Sequence, residues 1–273
     1  MIVGICRFSY PALGGFKRMH DSVAEREAYL YERERMELRF RHFETLSLPS
    51  IRGQTDPDFS FLIVVGDTLP KPYSDRLHDI TADIPQVKIV PMEPMRQRTA
   101  MQVAIKEELG EDTDPSIQFR LDDDDAVGLR FVRSLRRLER QSVAMRRRWK
   151  NVAFDFNKGY AVSLSGSGIL AREVISNLWT PGLAVWFRPG DRKTLMNYAH
   201  HKLHTHMPVI SNPLPHMFLR AQHDDNDSGV SLKGGTFEPL DDDQRASFLK
   251  HFNVDEDHVK QLFSRPVRPL DRA

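Results

Sequence analysis

The first half of the chain alternates between two patterns of apolar and polar positions. Short unbroken apolar runs occur at Ile2–Cys6, Phe61–Val65, Val87–Val90 and Ser116–Leu121. Between them lie stretches with helical spacing at residues 21–48, 73–80 and 99–109. In the first of these, Met36, Phe40, Phe43 and Leu46 fall on one face. Pro49 is expected to end that helix. Apolar runs without alternation fit strands buried on both faces, and the helices between them fit crossovers. The pattern predicts an α/β fold, a Rossmann-like, mostly parallel sheet flanked by helices. Ligands of such sheets bind outside the carboxyl ends of the strands. Here those ends carry Arg7 and Ser9, then Asp67, then Glu93 with Arg96 and Arg98, then Asp122–Asp125.

The second half is less regular. Residues 128–150 predict an amphipathic helix with Phe131, Leu135 and Leu138 on its buried face. Val152–Phe156 reads as a strand, 159–168 as a Gly/Ser-rich stretch, 170–178 as a helix and Leu183–Phe187 as a strand. A histidine-rich helix is expected over 191–204, a polar loop over 222–236, and a helix or helix pair over 241–263. Neither repeats nor a low-complexity linker interrupt the chain, so residues 1–273 are read as one domain whose halves meet near residue 126.

Charge and composition narrow the classes. With 39 basic against 38 acidic residues the net charge is +1, which argues against a nucleic-acid binder. Cys6 is the single cysteine, so an internal disulfide and a cysteine zinc site are excluded. It lies in an apolar run and reads as a small buried residue. The first residues lack the charged start and long apolar core of a signal peptide. No stretch approaches the roughly 20 apolar residues of a membrane span. A cytoplasmic location is expected.

Four consecutive aspartates at the end of an apolar strand repel one another and are costly to desolvate. A divalent cation removes both problems. Mg²⁺ or Mn²⁺ takes hard oxygen ligands, and Mg²⁺ is often held by one or two carboxylates plus substrate phosphates. A nucleotide diphosphate would supply those phosphates, and the metal would stabilise it as a leaving group. An exposed acidic turn is the bland alternative, disfavoured by the strand before the cluster and Ala126-Val127 after it. A second acidic triplet, Asp241–Asp243, opens a predicted helix and reads as an N-cap.

Two segments carry a family resemblance. Leu48-Pro49-Ser50-Ile51-Arg52-Gly53-Gln54-Thr55, followed by FLIVVGD, is similar to the start of many type A glycosyltransferases. RLDDDDAV resembles their strand-ending DxD element. With RFSY near the start and His223-x-x-Asn226-x-Ser228, the chain more narrowly resembles the bacterial "putative rhamnosyltransferase" family over most of residues 1–230. The resemblance implies the type A glycosyltransferase fold, with residues 1–126 binding the nucleotide-sugar and 127–273 binding the acceptor. It implies metal-dependent transfer of a sugar, rhamnose by the family's name, from a nucleotide-diphosphate sugar to a glycan or lipid-linked acceptor. It further implies Asp67 at the base or ribose, with Gly66 standing where a first acid is usual. The DxD element maps onto Asp122-x-Asp124 or, one register on, Asp123-x-Asp125. Arg7, Ser9, Arg98, Asp122 and Asp123 are then donor-site candidates. Arg98 reads equally well as a surface arginine, and Arg120 as the partner of an aspartate. A histidine from the second half often completes the metal site, and the candidates are His201, His204 and His223. The metal set is Asp124, Asp125 and His223, since a polar loop follows His223.

An inverting transferase needs a base for the acceptor hydroxyl. Asp155 alternates with Phe154 and Phe156 and is expected to face away from the core, while Asp191 is either an inward acid or a helix cap. His200 and His204 would share a face on a helix, but His200 and His206 read as surface residues. The segment 130–150 holds nine basic residues against Glu139. It admits three readings: a solvated face, a peripheral contact with an anionic membrane, or a contact with an anionic glycan. Arg146–Arg148 beside Trp149 favour the membrane over a random surface. A nucleotidyltransferase and a non-enzymatic cation-binding module are the alternatives to the transferase. RFSYPALGG lacks the phosphate loop of the first, and nucleotide protection against unfolding separates the second.

Overall fold

The structure is a computed structural model that describes residues 1–14, 21–111, 114–223 and 236–267. The first half runs β1 (Ile2–Arg7), α1 (Val23–Leu30), α2 (Arg33–His42), α3 (Leu48–Arg52), β2 (Ser60–Gly66), α4 (Lys71–Thr81), β3 (Val87–Met92), α5 (Gln97–Leu109) and β4 (Ser116–Arg120). After the aspartates come β5 (Asp125–Val127), α6 (Phe131–Gln141), α7 (Val143–Arg148), β6 (Asn151–Asp155), β7 (Lys158–Ser165), β8 (Gly168–Ile175) and β9 (Leu183–Phe187). The rest is β10 (Val209–Ser211), β11 (Phe218–Ala221), β12 (Glu238–Pro239), α8 (Asp242–Phe252) and α9 (Glu256–Phe263).

Seven strands form the main sheet in the order β10-β6-β9-β4-β1-β2-β3. Only β9 runs against its neighbours; the other pairings are parallel. Both faces are covered, which is why the strands read as unbroken apolar runs. Ile2 and Cys6 pack with α2, α3 and α6, whereas Val3 and Ile5 pack with α5 on the other side. Pro91 does not stop β3, because β3 is an edge strand and has no second neighbour to receive an N–H.

A second sheet, in the order β12-β8-β7-β11-β5, packs against α8 and α9. The turn Asp122–Asp125 passes from β4 of the first sheet into β5 of the second. The acidic cluster therefore sits at the junction of the two sheets, at the carboxyl end of a parallel strand.

Four expectations are corrected. Residues 170–178 are not a helix: β8 buries Ile169 and Ala171 with exposed Leu170 between them, and pairs with β7 across a tight turn. Gly168 takes φ +123° in that turn, a conformation that favours glycine. Pro49 does not end its helix. A π-turn over Phe43–Ser47 precedes it, and the wider turn accommodates the missing N–H and the ring. The helix over 128–150 breaks at Ser142 into α6 and α7, and α7 buries no residue. The stretch 191–204 forms two short 3₁₀ turns, Leu195–Asn197 and His200–Thr205, with extended backbone between them. Met196 packs beside α5 while Leu203 packs with β9, and one straight helix cannot serve both. The expected helix pair near the end is present, with Asp241 and Gln244 forming a capping box. The loop expected over 222–236 lies largely outside the described residues.

Candidate active site

The π-turn shapes the site. It turns Ser47 so that its hydroxyl donates to the carbonyls of Asp122 and Asp125, at 3.2 and 2.6 Å. Ser50, one turn on, accepts from the Val127 N–H. Gln54 donates to the Gly128 carbonyl and accepts from the Val132 N–H. Ser47 thus clamps both ends of the aspartate turn, and the Ser-Ile-x-x-Gln-Thr segment ties the chain just after the turn onto α3, a structural role.

Each aspartate has a different environment. Arg120 grips Asp122 with Nε and Nη2, at 3.0 and 2.7 Å from Oδ1. Arg39, buried on α2, reaches Asp124 at 2.9 Å and Asp123 at 3.3 Å. His223 Nε2 lies 3.0 Å from the same Asp124 oxygen. Asp125 Oδ1 accepts from the Ala221 N–H, a contact placed by the pairing of β5 with β11. The Asp123 Oδ2 oxygen is buried without a hydrogen-bond partner.

These contacts split the four carboxyls into two kinds. Burial raises all of them. At Asp122, Arg120 outweighs burial and holds the carboxyl below its usual range. At Asp124, Arg39 and His223 do the same. Burial prevails at Asp123, which is pushed up to about 6 despite Arg39, and at Asp125, where the Asp124 charge adds to it. Carboxylates whose charge is held firmly therefore alternate with ones that protonate more readily, and the firmly held pair is Asp122 and Asp124. His42 stacks against His223 with ring centroids 4.5 Å apart. Burial, then the His223 ring, lowers His42 to about 4, so it is a neutral wall of the site.

Two adjoining cavities open here. The more polar one is lined by Asp122–Asp125 with Arg7, Arg39, Arg120 and Arg220. Its neighbour encloses about 210 Å³ between β9, the 195–203 segment and Arg98. Arg120, Thr180 and His200 line both. Sequence reasoning missed Arg39, Arg220, His42 and the placement of His200. Arg39 and His42 lie on a helix that reads as ordinary amphipathic packing.

The remaining candidates are distributed as follows. Arg98 lines the larger cavity and is not among the residues around the aspartates. Ser9, at φ +44°, is buried and accepts from Arg35. Asp67 is exposed after β2, and its charge acts on Tyr10 and Tyr31. Asp155 does not face a cleft: it is fully buried, and its Oδ2 accepts from the Leu178 N–H and the Ser211 hydroxyl. Asp191 bonds Asn151 and the Lys193 N–H. Asn151 and Ser116 both pair with Phe187, so Asp191 stands at the opposite end of the strands from the cluster. His201 joins His200 at the larger cavity, while His204 and His206 lie on the exposed side of their turn. Asp224, Asp225, Asn226 and Ser228 lie outside the described residues.

Gly66, where an acid was the familial expectation, has no room for one. A Cβ there would stand 2.3 Å from Tyr31 Oη and 2.7 Å from the Pro11 ring. Gly66→Asp is expected to cost about 1–3 kcal/mol in urea unfolding through overpacking. A cost below 0.5 kcal/mol, about the scatter of a surface substitution, would show that the wall yields.

The donor chemistry fits a hard cation: two ionised carboxylates flank a third with an unpartnered oxygen. Among the described residues, no group of three or more His, Cys, Asp or Glu side chains is disposed to hold a metal by itself. Phosphate oxygens would have to complete such a sphere.

Among solved structures, the fold is similar to S. aureus TarS 1–349 in complex with UDP-GlcNAc, at 11% identity, 83% coverage of this chain and a TM-score of 0.48. The same TarS fragment with UDP aligns at 10% identity over 81% of this chain, with a TM-score of 0.46. In both, the chain spans 60% of the TarS structure. No curated protein matches the sequence. Residues 1–234 match the family described as "putative rhamnosyl transferase", and the chain belongs to that glycosyltransferase family.

Proposed function

We propose that this protein transfers a sugar from a nucleotide-diphosphate donor to a hydroxyl of a glycan or lipid-linked acceptor. The observation that carries the reading is the cavity where Asp122–Asp125 meet four arginines at the carboxyl end of a parallel strand. Arginine forks match phosphate oxygens, and ionised carboxylates match ribose hydroxyls or a metal. The alternation of charge supports Asp122-x-Asp124 as the working register. A Mg²⁺ or Mn²⁺ ion held by Asp124 and Asp122 together with the diphosphate would carry the charge of the leaving group. Arg120 and Arg39 hold these carboxylates in place, and Arg7 and Arg220 add positive charge around the diphosphate. Rhamnose is the sugar to which the family name points.

A peripheral contact with anionic lipid belongs to the same proposal. Among the described residues, no helix is long and apolar enough to cross a membrane. Val143, Met145 and Trp149 are exposed amid the arginines of α7. That surface lies next to Asn151, at the end of the strands opposite the aspartates.

Thermal unfolding with UDP, dTDP, GDP and CDP, each with and without Mn²⁺, tests the donor reading. One nucleotide is expected to stabilise the wild type by about 2–4 kcal/mol at 100- to 1,000-fold excess over Kd. The shift should need the metal and vanish in Asp124→Asn. Absence of any shift would refute the donor reading, and an equal shift without Mn²⁺ would refute the metal.

A further inference from the structure

We infer that His200 is the general base that deprotonates the acceptor hydroxyl, and that buried Asp155 positions it through the backbone of Leu178. The inference rests on the transferase reading. His200 lines both cavities, so it stands where a donor held by the aspartates and arginines would meet an acceptor in the larger space. Its Nδ1 lies 2.7 Å from the Leu178 carbonyl. A carbonyl only accepts, so Nδ1 carries the proton, and Nε2 of the neutral ring keeps its lone pair.

The carbonyl that fixes this tautomer is itself held. Leu178 sits at φ +56°, a sparsely populated conformation for a branched side chain. Its N–H donates to Asp155 Oδ2 at 3.0 Å, and Ser211 donates to the same oxygen at 3.1 Å. The chain Ser211–Asp155–Leu178–His200 orients the imidazole as a carboxylate does in a catalytic triad, with the backbone of one residue inserted. Asp155 thus works without touching a substrate.

Burial lowers His200 below the ordinary histidine range; the Leu178 bond opposes this, while Arg120, His201 and Arg220 add to it. Arg7, Arg39 and Asp122–Asp125 share one of its cavities, and Arg98 and Tyr198 share the other. The ring is therefore neutral near pH 7, as a base must be. In the step, the acceptor oxygen forms a bond to the anomeric carbon, and the bond to the diphosphate oxygen breaks. The electron pair leaves with the diphosphate, and the hydroxyl proton moves to His200 Nε2. The anomeric configuration inverts.

The test compares wild type with His200→Gln, His200→Asn, Asp155→Ala and Asp155→Asn. Measured are kcat, nucleotide binding, the product anomer and the thermal midpoint. Both His200 variants are expected to lose about 10²–10⁴-fold in kcat with nucleotide affinity within threefold of wild type. The ratio of wild-type to variant kcat should shrink as pH falls below the ordinary histidine range, where the wild-type base takes a proton. Asp155→Asn, whose amide oxygen still accepts from Leu178, should recover most of the kcat lost in Asp155→Ala. Turnover within threefold of wild type, a pH-independent ratio, or retention at the anomeric carbon would overturn the proposal. Lost nucleotide binding in folded His200 variants would make His200 a donor ligand and overturn it as well. Absence of nucleotide binding by the wild type instead removes the transferase reading itself.

Discussion

Arg39→Met is expected to destabilise the protein by about 3–5 kcal/mol at neutral pH, the cost of breaking a buried ion pair by removing one partner. Arg39 is 6% exposed and faces Asp123 at 3.3 Å and Asp124 at 2.9 Å, both buried. Methionine fills the space but leaves two carboxylates facing an apolar wall. The pH dependence has a definite sign. Asp124 is held below its unfolded value, so its stabilisation is complete above roughly pH 4 and is lost as pH falls further. The variant lacks that depression, and its carboxyls take up protons at higher pH. The gap between wild type and variant is therefore widest at neutral pH and narrows in acid. Urea unfolding at pH 7 and pH 4.5 measures both. A difference under 1 kcal/mol at pH 7, or one that widens in acid, would show that Arg39 does not neutralise the cluster.

The second large effect concerns the register of the cluster. Asp122→Asn and Asp124→Asn are each expected to lower transfer about 100-fold or more, the scale of losing one fixed charge from an electrostatic site. Each removes a charge that Arg120 or Arg39 stabilises. Asp123→Asn should cost less than tenfold, because Arg39 lies farther from Asp123, at 3.3 Å, than from Asp124, at 2.9 Å, and burial already weakens the hold on the Asp123 charge. Asp125→Asn should behave similarly, since its carboxyl is raised further and accepts from the Ala221 N–H. Steady-state kinetics on four purified variants with circular-dichroism controls decides the matter. The reverse order would place the working pair at Asp123 and Asp125.

The surroundings of the aspartates and the placement of Asp155 show why chemistry is harder to read than architecture. In the sequence, Arg120 is the one basic residue beside the four adjacent aspartates. The fold brings Arg7, Arg39, Arg120 and Arg220 to them from β1, α2, β4 and β11. Arg39 is 85 residues distant in sequence from the aspartate it meets. Asp155 was read as cleft-facing from its alternation with Phe154 and Phe156, yet all three are buried. A strand inside a sheet covered on both faces has no solvent side, so period-two reasoning does not apply to it.

Residue spacing alone makes legible the α/β class, the strands β1, β2, β3, β4, β6 and β9, the acidic strand end and the capped final helix pair. Each is a local matter: apolar runs, a charge cluster at their boundary, side chains that cap their own backbone. Tertiary structure alone decided that β8 is a strand, since its residues alternate only against β7. It also decided which aspartates stay ionised and which histidine meets both cavities. Burial and charge pairing depend on distances between segments far apart in the chain, and spacing along a sequence does not encode them.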